Sequence, residues 1–261
     1  MTLFQDMPKN LILITVCLLT GLTLSAQPTS GVSKGGANSY SFIEYQKSFP
    51  RPVEALERKE DTLQKQFEAK KLVWPARYLY IRSFKYDSQL EVWVKNELNA
   101  NFQLFKTYRV CALAGSLGPK RMQGDYQEFN PKSNYYLSLG LNYPNASDRI
   151  LSDSLKPGSE IYIHGSCVTV GCIPITDQQI DELYVLAAHA KDLGQDFIPV
   201  HIFPIRYNVE KSARYLESLT KDDHELKKFA DRLEDAFDYF EKFHQLPVVM
   251  IGDSGEYVIN E

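Results

Sequence analysis

The chain has 261 residues, 24% of them charged, and a formal net charge of −4. This mild balance excludes a protein that holds nucleic acid through a basic field, and no acidic tail is present. The length suits one domain of ordinary to large size behind a short leader.

Lys9 gives a weakly positive start, residues 11–24 form an apolar run, and Ser25-Ala26 precedes the polar Gln27. That layout predicts a cleavable signal peptide cut near Ala26, hence an exported, periplasmic protein. The run is too short for a permanent membrane span. Cys17 follows Val16 rather than a small residue, which favours a soluble product over a lipidated one. Residues 27–40 are rich in Gly, Ser and Pro and read as a flexible tether.

Residues 52–71 carry Val53, Leu56, Leu63 and Phe67 at helical spacing, with Pro52 in the first turn. Three strand-like runs follow at 78–84, 90–94 and 102–114, forming an antiparallel meander. Residues 118–132 read as a polar loop and 134–140 as a further strand. Tyr143-Pro144-Asn145 reads as a turn. A short strand at 161–164 ends at a glycine. Residues 177–193 form a helix with Thr176 or Asp177 as N-cap, and 197–205 another strand. The helix at 221–244 presents Leu226, Phe229, Leu233, Phe237 and Phe240 as a packing stripe. A hairpin turned at Asp253-Ser254-Gly255 closes the chain.

Four cysteines occur, at 17, 111, 167 and 172. Cys17 leaves with the leader, and an odd count of three then keeps at least one thiol outside intramolecular pairing. Cys111 lies in a strand pattern and reads as core. Cys167 can line a site, pair with Cys172 or pack; lining and packing are the plainer readings.

The chemically informative stretch is Ile163-His-Gly-Ser-Cys-Val-Thr-Val-Gly-Cys-Ile-Pro-Ile-Thr-Asp. A strand delivers His164, Gly165 lets the backbone bend, and Gly171 directly precedes Cys172, just upstream of a helix. A thiolate is the attacking form of cysteine, favoured beside an imidazole and near a helix N-terminus. His164 is the candidate base and Cys172 the candidate nucleophile for acyl transfer through a thioester. A backbone carbonyl can hold the imidazole tautomer. The amides of Gly171 and Cys172 are candidate oxyanion donors, with Gly165 as a further backbone candidate. Ser166, Cys167 and Thr169 are candidate lining residues. Tyr143 and Asn145 are candidates for shaping a groove, Arg149 for meeting a substrate carboxylate, and His201 for a place near the site. For these four a turn, a solvated surface and half-buried structure are the plainer accounts.

The segment His164-Gly165, a spacer, then Thr169-Val170-Gly171-Cys172 resembles the catalytic motif of the L,D-transpeptidase (YkuD-type) family, and its YafK-like branch most closely. Gly118-Pro-Lys-Arg-Met-Gln-Gly-Asp, Leu139-Gly-Leu-Asn-Tyr-Pro-Asn and Val200-His-Ile-Phe-Pro support the resemblance, which spans residues 78–205. It implies an α+β fold: a mostly antiparallel β catalytic domain over 41–210, with its N-terminal helix, and a C-terminal helix and hairpin extension over 211–261. It implies an exported enzyme that attacks peptidoglycan stem peptides, with a wall-bound lipoprotein as a further partner, and no metal or organic cofactor.

Two departures accompany the resemblance. Pro174 stands where the wider family has Arg. The strand that family members carry after the Gln-Gly-Asp loop is not evident after Asp125. That gap predicts a sheet short of one strand, with edge groups unpaired or re-paired. Alternatives to acyl transfer are an L,D-carboxypeptidase or amidase, a non-catalytic wall-binding module, and a zinc site built from His164, Cys167, Cys172 and His201.

Overall fold

The computed structural model describes residues 41–111, 124–151 and 160–260. The expected signal peptide, Cys17 and the expected tether at 27–40 lie outside the described residues. Ser39–Glu261 form one compact unit. Among the described residues, no helix is long and apolar enough to cross a membrane.

A short helix α1 (Phe42–Gln46) leads into α2 (Pro50–Ala69). Pro50 opens α2 where its missing N–H costs nothing, and the helix buries Pro52, Ala55, Leu56, Leu63 and Phe67. The meander follows as β1 (Tyr78–Phe84), β2 (Gln89–Lys95) and β3 (Gln103–Arg109). Next come β4 (Gly124–Asn130), β5 (Ser138–Leu141), α3 (Ala146–Leu151), β6 (Tyr162–His164) and β7 (Ile173–Pro174). The chain ends with α4 (Asp177–Asp192), β8 (Ile198–Phe203), α5 (Glu210–Thr220), α6 (His224–Phe243) and the hairpin β9 (Val248–Ile251) and β10 (Tyr257–Asn260).

Eight strands form one sheet in the order β3-β2-β1-β8-β4-β5-β6-β7. β1–β8 and β6–β7 are parallel; the other pairings in this sheet are antiparallel. The fold is therefore α+β with a mostly antiparallel sheet, as the sequence predicts. β1 shows little alternation because both of its faces are covered. Leu79 and Ile81 join the main core with α2 and α4 residues, while Tyr80 packs with Trp93, Phe102 and Phe240 of α6.

The polar loop expected at 118–132 needs correction, since β4 lies inside it. β4 pairs with β8 on one side and β5 on the other, so the expected gap after Asp125 is filled. The sequence concealed this strand because its residues are polar and do not alternate clearly. Sequence pattern also missed α1, α3 and α5, which are short or carry few buried side chains.

The sheet curls until its ends approach each other. Just beyond β3, the Cys111 N–H donates to the carbonyl of Pro174 on β7 (2.9 Å). This seam lies beside the motif that carries the chemistry.

Candidate active site

β6 and β7 are short and hold the motif by register. Ile163 pairs with Ile173 and His164 with Pro174. One step back, this register sets Cys172 beside Tyr162. Side chains alternate along a strand, and laterally paired residues share a face. Tyr162 and His164 therefore share one face of β6, and Cys172, directly before β7, lies beside Tyr162.

The surroundings of His164 fix its tautomer. Its Nδ1 lies 2.7 Å from the Gly165 carbonyl oxygen. A carbonyl can only accept, so Nδ1 carries the proton and Nε2 keeps its lone pair. The residue is 1% exposed. Burial pushes the imidazole below its ordinary value, opposed by the hydrogen bond to Gly165. A neutral imidazole with a free Nε2 is the form a general base requires. The ring of Tyr135 covers it, with ring centroids 4.6 Å apart and planes inclined by 33°.

Cys172 is the free cysteine among the described residues and is half-buried. Its Sγ lies 3.9 Å from the Glu160 carbonyl oxygen. Tyr162, beside it, donates its hydroxyl to Glu160 Oε2 (2.5 Å). That bond, with burial and the charges of Glu160, Glu128 and Cys172, pushes the phenol up to about 12. Cys172 thus lies beside Tyr162, two residues before His164, with no direct hydrogen bond to the imidazole.

The intervening loop is pinned at several points. Ser166 and Cys167 take positive φ values of 65° and 47°. The Ser166 N–H donates to Asp177 Oδ1 (2.7 Å), at the start of α4. A Cβ at Gly165 would meet that same oxygen at 2.6 Å, so any side chain there would have to displace the Asp177 carboxylate from the Ser166 N–H. The Gly165 N–H donates to the Leu137 carbonyl, which makes Gly165 a close-packing point rather than an oxyanion donor. Thr169 Oγ1 donates to the Cys172 carbonyl and accepts from the Gly171 N–H, both at 3.0 Å. The oxyanion role assigned to the Gly171 amide therefore requires that Thr169 release it. Thr176 caps α4 in a full capping box with Gln179, as its place in the sequence predicts.

Cys111 and Cys167 form a disulfide. This corrects two expectations. Cys111 is not a plain core residue, and Cys167 neither packs as a free thiol nor pairs with Cys172. The cause is the curl of the sheet, which brings the end of β3 over the loop before β7. Among the described residues the thiol left unpaired is Cys172.

The zinc alternative does not assemble. Cys167 is consumed in the disulfide, and β4 and β5 stand between β8, which carries His201, and β6, about 14 Å in strand spacings. Among the described residues, no group of three or more His, Cys, Asp or Glu could hold a metal ion. His201 is buried and hydrogen-bonds through Nδ1 to the Tyr80 hydroxyl (2.7 Å). Asn145 serves α3: its Oδ1 accepts from the Asp148 N–H (3.0 Å) and its Nδ2 donates to the Tyr257 hydroxyl (2.9 Å). Tyr143 packs on the core, and burial pushes its phenol up. Arg149 is exposed. Sequence reading missed Tyr135, Glu160, Tyr162 and Asp177 as neighbours of the site. Strand alternation, which puts Tyr162 two residues before His164 on the same face, is a signal that could have found Tyr162.

No family model matches the chain. It is 32% identical over 194 residues to proteins named "Putative L,D-transpeptidase YafK" from Escherichia coli K12 and O157:H7, covering 70% of this chain and 74% of theirs. Among solved structures, Bd1075 of Bdellovibrio bacteriovorus matches at 18% identity over 71% of this chain and 78% of that one, with a TM-score of 0.39. The helical cell shape determining protein Pgp2 of Campylobacter jejuni matches at 14% identity over 73% of this chain and 81% of that one, with a TM-score of 0.38. On the sequence identity to the two Escherichia coli proteins and the share of their length covered, the chain belongs to the YafK-type L,D-transpeptidase family.

Proposed function

We propose that this protein is an exported cysteine acyltransferase acting on peptidoglycan stem peptides, with Cys172 as nucleophile and His164 as base. The observation that carries the reading is a free thiol directly before β7 and, on the paired strand β6, a buried imidazole whose Nδ1 is tied to the Gly165 carbonyl, which leaves the lone pair on Nε2. The reaction requires the Cys172 sulfur to leave the Glu160 carbonyl and come within reach of Nε2. Nε2 takes the thiol proton, and sulfur attacks the peptide carbonyl. The amide C–N bond breaks, and the amine leaves with the proton that His164 returns. The thioester then passes its acyl group to an incoming amine, whose displaced proton restores the thiol.

Hydrolysis of the same thioester, as an L,D-carboxypeptidase or an amidase releasing a wall-bound lipoprotein, is the second reading. What favours it is exposure: Val170, two residues before the nucleophile, is 95% exposed, so water reaches this part of the loop.

Incubation with defined muropeptides, read by product mass, tests both. Cross-linked or exchanged products mark transfer, and shortened peptides mark hydrolysis. Cys172→Ala is expected to lower turnover at least about a thousandfold with an unchanged circular dichroism spectrum. Retained turnover in that variant rejects the nucleophile.

A further inference from the structure

Tyr135 stacks on His164 yet is 44% exposed, an unusual place for a large aromatic ring with no other evident work. Its backbone is held from three directions. The Tyr135 N–H donates to Ser133 Oγ (3.0 Å). Arg51 of α2 donates to the carbonyls of Ser133 and Tyr136 on either side, both at 2.6 Å. Tyr136 takes a positive φ of 74°, and its hydroxyl accepts from Arg58 of α2. The Tyr135 carbonyl lies 3.1 Å from where a Cβ on Gly165 would stand, so turn and motif are in close contact. A turn fixed this firmly presents one ring, and that ring lies against the imidazole.

We propose that Tyr135 is a positioning residue for His164, its ring fixing the plane of the imidazole and favouring the protonated form that arises during acyl transfer. The inference rests on His164 being the base. An aromatic face attracts a cation above it, and the attraction strengthens where water is excluded. The ring therefore offsets part of the desolvation that disfavours imidazolium at this buried position. The other titratable and charged groups on the elements packed against β6 are Tyr162 on its own strand, Cys172 before β7, Asp177 and Asp181 on α4, and Tyr136 in the turn. Arg51 and Arg58 of α2 stand behind the turn. Tyr135 is the one stacked on the ring.

The test titrates His164 directly, so it does not depend on turnover. The imidazole C–H resonances of the full protein are followed against pH, and His164→Gln identifies the His164 signal among the five histidines. Tyr135→Leu keeps bulk and loses the π face; Tyr135→Phe keeps both. The expected result is a His164 midpoint lowered by about half a unit to one unit in the Leu variant and restored in the Phe variant. Equal midpoints in wild type, Leu and Phe variants overturn the proposal. Should Tyr135→Leu fold poorly, pentafluorophenylalanine at 135 keeps the ring's shape and reverses its quadrupole, and the same downward shift is then required. Muropeptide turnover by the wild type is scored separately. A midpoint that responds in a protein with no turnover sinks the enzymatic reading, and one that does not respond in an active enzyme sinks the role of Tyr135.

Discussion

Arg82→Met would break the ion pair between β1 and β2 that α6 covers. Arg82 is 1% exposed and Glu91, opposite it in the register, 3%. Arg82 contacts Glu91 Oε2 through Nη2 (2.8 Å) and Nε (3.0 Å), and Glu241 of α6 through Nη1 (2.8 Å). Its guanidinium carbon lies 4.6 Å from the Phe240 ring centroid and 4.9 Å from that of Trp93. Methionine fills most of that volume but leaves Glu91 to Arg206 and the Trp93 indole alone. Removing one partner of a buried pair costs about 3–5 kcal/mol; the two remaining donors argue for the lower end, about 3 kcal/mol. The loss must also depend on pH. In the wild type, burial pushes the Glu91 carboxyl up, but Arg82, Arg206 and Trp93 outweigh it and hold it below its ordinary value. It therefore contributes stability above the unfolded carboxylate pKa, lost as pH falls through the lower folded value. In the variant, burial gains the upper hand, and protonation of Glu91 then favours the folded state. Urea unfolding at pH 7.5 and pH 5 should show the gap between the proteins narrowing with acid, and Arg82→Met with Glu91→Gln should recover much of the loss. A gap under about 1 kcal/mol, or one that does not change with pH, refutes the reasoning.

Two further outcomes follow from groups around the sheet. Reducing the Cys111–Cys167 disulfide, which spans a sequence separation of 56, should lower the melting temperature. The chain-entropy limit is about 4 kcal/mol, and unchanged melting by a protein shown by mass to be reduced would deny the bond a stabilising role. His201 is buried, and burial with the nearby Arg82 charge pushes it down to about 4. Its contribution to stability is intact above the ordinary histidine value of about 6.5 and drains as pH falls from there toward 4, by about 3 kcal/mol at most. His201→Gln should flatten the dependence of unfolding free energy on pH across that window, and an identical slope would exclude His201 as its source.

What sequence could disclose here follows from distance along the chain. Thr176 and Gln179 declare the start of α4 because a capping box closes within three residues. His164, Gly165, Gly171 and Cys172 stand in one short stretch, so their chemistry is readable together. Cys111 reaches Cys167 only because β3 and β7, at opposite ends of the strand order, curl toward each other. No local pattern encodes that curl. Arg82 reads as the polar member of an alternating strand until α6 covers it and both faces of β1 become interior. Tyr135 reads as one aromatic residue in a strand, because what makes it notable is a ring 29 positions away in sequence. The residues that perform the proposed chemistry are thus local to one another, whereas Cys111, which anchors their loop, is far away in sequence. The nucleophile's loop illustrates the consequence. One end is tied to α4 through Asp177, the middle to the end of β3 through a disulfide, and the far end to its own Thr169 hydroxyl. A homologue could keep every residue of the His-Gly to Gly-Cys motif and still lose the geometry, if it lacked the partners at 111 and 177.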